Sequence, residues 1–222
     1  DGVIERLADH FTAEAEAADL VNAFFSQNAG KGVRLFELLS KRYDVVAANP
    51  PYMGSRNMGD LVKRYVESLY PESKRDLYSA FISRDIQLSK NLGKIAMITQ
   101  QSWMFHKSFS KLRHDPEAGS NRYSVSILTN TTIETLAHLG AGAFEEISGE
   151  VVNTVLFIIS KNAPLKAHKI KSFKLTNFRN SNEKRLLIQN LVRDDVSGCS
   201  FSPYQSDFLN IAYSPIIYNV SS

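Results

Sequence analysis

Asn49-Pro50-Pro51-Tyr52 is the stretch of this chain whose residue types and order carry the most chemistry. It places an amide, a pair of prolines and an aromatic ring directly after Tyr43 to Ala48, an apolar, β-branched run that reads as a buried strand halted by a rigid turn. In open α/β sheets ligands bind at the carboxyl ends of strands. Adjacent prolines hold φ and remove backbone N–H groups, so the Pro50 carbonyl faces a ligand without a competing donor beside it. With the Asn49 side-chain oxygen it makes a pair of acceptors, suited to an NH₂ group whose lone pair must leave conjugation before it attacks an electrophile. A second feature lies past the middle of the chain, where Lys169, Lys171 and Lys174 belong to a run rich in lysine and arginine, with Phe173 and Phe178 interleaved. Basic residues among aromatics suit a polyanion; the alternative is a solvated, lysine-rich surface.

The elements around these residues follow from periodicity. Ile4, Leu7, Ala8 and Phe11 have amphipathic helical spacing, and Leu20, Val21, Phe24 and Phe25 continue it after a break. Residues 27–32 read as a loop and 35–40 as a short helix. Beyond the proline pair the pattern predicts a helix over 76–90, a turn at Asn91-Leu92-Gly93, a strand over 94–99, a helix over 108–113 and a polar loop over 114–124. Strands over 132–139 and 151–160 follow, the last so continuously apolar that both its faces must be buried. Strands alternating with helices make the chain α/β with a mostly parallel sheet. Three segments result: a helical one over 1–42, a sheet domain over 43–160, and a linker with the start of another region over 161–222.

Composition narrows the classes. With 222 residues, 43% hydrophobic and 22% charged, and a net charge of +3, the chain is neither collagen-like nor bulk-disordered. Its single cysteine, Cys199, forms no internal disulfide, which fits a reducing cytoplasm, and no cysteine and histidine spacing suggests a metal site. No apolar run approaches the ~20 residues of a membrane helix, and no signal peptide is evident.

Asn49-Pro50-Pro51-Tyr52 resembles motif IV of the amino-group DNA methyltransferases that modify the exocyclic nitrogen of adenine, a tetrapeptide also found in protein glutamine methyltransferases. Asp76-Leu77-Tyr78-Ser79-Ala80-Phe81, Gly93 to Ile98 and Gln101-Ser102-Trp103-Met104-Phe105 are similar to the downstream motifs of the class whose recognition domain is C-terminal. Together with the block from Leu136 to Phe144, Gly149-Glu150-Val151-Val152, and the tail residues Asp207-Phe208 and Ser214 to Tyr218, they resemble the PglX adenine-specific methyltransferases of BREX phage-defence systems. The resemblance implies a Rossmann-like methyltransferase sheet, of which this chain holds the C-terminal half, and S-adenosylmethionine as cofactor. It implies that Asn49 and Pro50 accept hydrogen bonds from the 6-amino group, that Tyr52 stacks on an adenine flipped from the duplex, and that Phe144 covers the opposite face. Phe81 would pack on the cofactor's adenine, with Asn49 and Pro51 close to it. Methyl transfer is an in-line displacement that rests on positioning and dipoles, with no metal required. Double-stranded DNA and other proteins of the defence system are the partners implied.

A glycine-rich turn after an early strand, followed by an acidic strand end, would be expected upstream of motif IV. Gly30-Lys31-Gly32 and Gly140-Ala141-Gly142 do not supply it. The expectation is therefore a fragment that lacks the cofactor-gripping half of its own domain, inactive by itself and poor at binding S-adenosylmethionine, with an open sheet edge at 44–48. A protein glutamine methyltransferase and a non-catalytic DNA-binding or assembly module are the alternative functions.

Overall fold

The structure, a computed structural model, describes residues 6–7, 9–11, 13, 20–117, 125–143, 152–178, 180–191 and 198–219. The chain divides into two compact units, Asp1–Tyr43 and Asp44–Ser222.

In the first unit, helix α1 (Leu20–Ser40) runs unbroken through residues 27–32, which correct the loop expected there. Each glycine in a helix costs only about 1 kcal/mol. No proline interrupts the segment, and a Cβ built on Gly32 would meet nothing within 4 Å, so Gly32 is not required by a close approach. Leu35, Phe36, Leu38 and Leu39 of this helix are exposed among the described residues.

The second unit is built on a six-stranded sheet. Its strands are β1 (Tyr43–Ala48, beginning one residue earlier), β2 (Ser89–Gln100), β3 (Thr132–Gly140), β4 (Thr154–Ser160), β5 (Lys171–Lys174) and β6 (Ser200–Phe201), in the order β1-β2-β4-β3-β5-β6. Helices α2 (Asp60–Leu69) and α3 (Leu77–Leu88) lie between β1 and β2 in the chain. Short helical turns occupy Ser102–Phe105, Ser110–Arg113 and Ile127–Asn130, and a helix covers Ser181–Leu191.

The α/β class holds, but the expectation of a mostly parallel sheet does not. Strand β4 runs antiparallel to both β2 and β3, β6 runs antiparallel to β5, and only the β3–β5 ladder is parallel among the pairings with described register. A continuous apolar strand reports that both faces are buried and carries no information on direction. Burial of both faces is what β4 shows: Val155, Phe157 and Ile159 enter the main core, and Leu156 packs with Ala137, Leu139, Phe173 and Leu175 on the other side.

Strand β2 begins at Ser89, directly after α3, earlier than its apolar pattern suggests. The expected turn survives as a kink inside it: Leu92 has φ +64°, and a Cβ on Gly93 would come within 2.4 Å of Ser89 Oγ and 3.1 Å of the Asp44 carbonyl. Only glycine fits that approach. Helix α3 is capped by Asp76, whose side chain accepts from the Tyr78 N–H, and turns Tyr78, Ile82 and Ile86 into the core with Ile95, Met97, Trp103 and Phe157.

The sheet does not stop at Ser160. Strand β5 pairs with β3 from Thr135↔Lys171 to His138↔Lys174, and the tail residues Phe208, Ile216 and Tyr218 are buried in the main core. Gln205 fastens the returning chain: its amide donates to the carbonyls of Leu128 and Thr131 and accepts from the Ile133 N–H.

Candidate active site

Strand β1 delivers Asn49 at its carboxyl end, at one edge of the sheet. Asn49 and Pro51 are exposed, Pro50 is buried between them and Tyr52 is half-buried against the main core. The two residues read from the sequence as paired acceptors are thus adjacent at the strand end, one exposed and one buried.

The loop is held by one carboxylate. Asp76 Oδ1 accepts from the Met53 N–H at 3.0 Å and from the Tyr78 N–H at 3.3 Å, so the residue that caps α3 also clamps the chain leaving Tyr52. The Leu77 N–H donates to the Met53 carbonyl and the Ser55 N–H to the Arg75 carbonyl, completing the seam. Burial pushes the Asp76 carboxyl above its ordinary range, against the backbone N–H groups of Tyr78, Met53 and Leu77, which favour its charged form.

The Tyr52 ring stands edge-on to Tyr78, with centroids 6.0 Å apart and planes at 83°. The Tyr78 hydroxyl is within 2.8 Å of Ser102 Oγ, which in turn donates to Gln100 Oε1 at 3.4 Å. The Tyr52 hydroxyl is buried without a partner, and burial pushes it up to about 12, so it stays neutral under physiological conditions. Gln101, at the end of the neighbouring strand β2, likewise has a buried Oε1 without a partner, while its N–H donates to the Asn153 carbonyl. Unpaired polar atoms are rare in folded interiors.

Phe81 lies on α3 beyond the clamp and is 37% exposed, whereas Tyr78 and Ile82 on the same helix face the core. Phe144 lies outside the described residues. Lys169, Lys171 and Lys174 are on or beside β5, with three strands between them and β1 in the sheet order. Lys169 and Lys171 are exposed; Lys174, of opposite parity, is half-buried and paired with His138 in the ladder. The lysines therefore do not form one stripe. Trp103 is fully buried and donates to Thr99 Oγ1.

The double duty of Asp76 and the unpaired Gln101 oxygen are not assigned by sequence reasoning. An aspartate directly before an apolar helical pattern signals a cap, but nothing local signals its bond to a loop 23 residues earlier.

Residues 3–144 match the family model of the Eco57I restriction-modification methylases. The chain belongs to this family. The resemblance to PglX-type adenine methyltransferases is borne out by two curated relatives. One is the adenine-specific methyltransferase BrxX of Escherichia coli O9:H4, 37% identical over 82% of this methylase chain; the other is the adenine-specific methyltransferase PglX of Lacticaseibacillus casei, 32% identical over 96% of it. The chain spans 14% and 17% of the length of these relatives. In fold it is similar to the type ISP restriction-modification enzyme LlaGI, solved with a DNA substrate mimic, at a TM-score of 0.57 and 14% identity over 86% of this methylase chain and 20% of that one. No helix among the described residues is long and apolar enough to cross a membrane.

Proposed function

We propose that this chain forms the base-holding part of an adenine-specific DNA methyltransferase, transferring methyl from S-adenosylmethionine to the 6-amino group of a flipped adenine to mark host DNA. Its place of work is the cytoplasm that holds the DNA, and the other proteins of the defence system are its further partners. The observation that carries the reading is the Asn49–Tyr52 loop: an exposed amide and a buried proline at the carboxyl end of an edge strand, followed by a half-buried ring whose exit is clamped by Asp76.

The Asn49 side-chain oxygen and the Pro50 carbonyl accept the two amino protons and draw the nitrogen out of conjugation, so its lone pair points away from the ring plane. Asp76 keeps these acceptors from relaxing, since a loop bonded to the first turn of α3 cannot rotate its carbonyls freely. Tyr52 offers a flat surface to the extruded base, and its edge contact with Tyr78 sets the tilt of the ring. Bound S-adenosylmethionine supplies a methyl group on a sulfonium. The exposed ring of Phe81 fits a purine stacked on α3, with Asn49 and Pro51 close by, and Phe144 is proposed for the far face of the target base. The DNA-recognition region would begin within residues 161–222, on the part of the chain that also adds β5 and β6 to the sheet.

Asn49→Ala in the intact protein tests the reading. Methyl transfer should slow by ~100-fold to ~1000-fold, the typical effect of removing one preorganised polar contact made in the transition state. Thermal melting should be unchanged, since Asn49 is exposed. A folded Asn49→Ala protein with wild-type single-turnover rates overturns it.

A further inference from the structure

The sheet ends at β6, on the side away from β1 and the Asn49 loop. Beside β6 lies a groove of about 600 Å³, within the range of small-ligand sites. Phe201 and the buried Phe208 line it on the apolar side, and Lys169 and Asp207 bring opposite charges to it. Its aromatic wall is Tyr204, 39% exposed. The Lys169 ammonium sits 4.8 Å from the centre of the Tyr204 ring, the backbones of the two residues form a β-bridge, and the Ile170 N–H donates to the Pro203 carbonyl. A ring carried on a pinned backbone, flanked by a cation and left open to solvent, offers a stacking surface whose backbone has no freedom left to lose on binding.

We propose that this groove is a second nucleotide site, which takes an unpaired DNA base bearing an amino group. The base stacks on the face of Tyr204 that Lys169 leaves open. Its phosphate lies toward Lys169 and Lys171, exposed on the same side of the extended chain and about 7 Å apart. The Asp207 carboxylate orients the strand: it repels phosphate from its own side and accepts from a base amino group, as acidic side chains do from cytosine. Thymine has no such group. The charges decide against an apolar peptide, which would gain nothing from the cation and the carboxylate. The site is separate from the Asn49 loop and rests on the methyltransferase reading only in taking DNA as the polyanion.

The test is binding of short single-stranded oligomers of dC, dA and dT to the intact protein at low salt, with methyl transfer to duplex DNA measured in parallel. The dC and dA oligomers should bind more tightly than dT. Tyr204→Ala should weaken them on the order of tenfold, the effect of losing one stacked base, and Tyr204→Phe should restore binding. Asp207→Asn should remove the preference over dT. Thermal melting shows whether each variant is folded. Wild-type affinity in a folded Tyr204→Ala protein, equal binding of dT, or no single-strand binding at all overturns the groove. Those outcomes leave the Asn49 experiment intact, whereas loss of methyl transfer in the unmodified protein would sink the catalytic reading alone.

Discussion

At the residue scale, the unpaired buried atoms make the sharpest predictions. Tyr52→Phe removes a hydroxyl that has no partner and keeps the ring, so the variant should methylate normally and be at least as stable, by up to about 1 kcal/mol in denaturant unfolding. Tyr52→Ala differs in kind. Loss of the stacking surface should raise the cost of base extrusion by ~1 to 3 kcal/mol, and a mismatched target adenine should partly rescue its single-turnover rate. Asp85, on α3, is buried with one carboxylate oxygen unpaired, and burial holds its carboxyl up at about 6, with Arg84 pulling weakly the other way. In the unfolded chain the same group titrates near ~3.9. Between those values the unfolded chain releases its proton first, so stability falls as pH rises from ~4 to ~6, by on the order of 3 kcal/mol. Asp85→Asn should raise the melting temperature at neutral pH, leave it unchanged near pH ~4 and flatten the slope between. Melts across that window check it, and a surviving slope would point to Glu72, whose carboxyl burial also raises.

At the scale of elements, the tail is fastened by Arg113. This fully buried guanidinium donates to four carbonyls: Trp103 at 2.7 Å, His106 at 2.9 Å, Tyr213 at 2.8 Å and Ser214 at 2.9 Å. Burial pushes it down to about 10, yet it remains charged at neutral pH. The carbonyls of 213 and 214 belong to consecutive left-handed residues, with φ of +67° and +49°, a conformation that side chains resist. Arg113 binds both, and the Ile216 N–H then reaches the Met104 carbonyl. Arg113→Ala should destabilise by on the order of 3 kcal/mol or more, because four buried acceptors lose a charged donor. Tyr213→Gly should stabilise by about 1 kcal/mol, lowered because the Lys107 ammonium no longer has the ring to sit over. Chemical denaturation of both variants measures the two effects.

For the whole molecule, the lysines divide by strand parity. Lys169 and Lys171 face solvent, so replacing both with Ala should weaken DNA association at every sequence and flatten its salt dependence by roughly 0.9 in slope for each phosphate no longer neutralised. Lys174→Ala should change the slope less. Its charge lies beside His138, which burial first and then Lys174 and Lys184 depress to about 4, and whose ring bonds the Tyr218 hydroxyl. Removing Lys174 should raise the His138 value in an NMR titration. At the other end of the sheet, Val45 on β1 is 63% exposed, an apolar side chain on an edge strand of the kind that invites pairing.

The α/β class, the strand before Asn49, the capped helix after Asp76 and the family were legible in the sequence because each is local. Alternation, a proline stop and a cap are written in neighbouring residues, and a motif is a string. Strand direction was not legible: β4 is apolar on both faces whichever way it runs. Nor was the continuity of α1 through Gly30 and Gly32, where weak propensities yielded to their flanks. The chain past Ser160 read as a linker because its two-residue and four-residue strands carry too little periodicity, and only the ladder to β3 makes them strands. The tertiary structure alone decided the Asp76 clamp, the Arg113 staple and the Tyr204 groove. Each depends on groups far apart in sequence meeting in space, and no local pattern encodes a partner that lies 23 or 100 residues away.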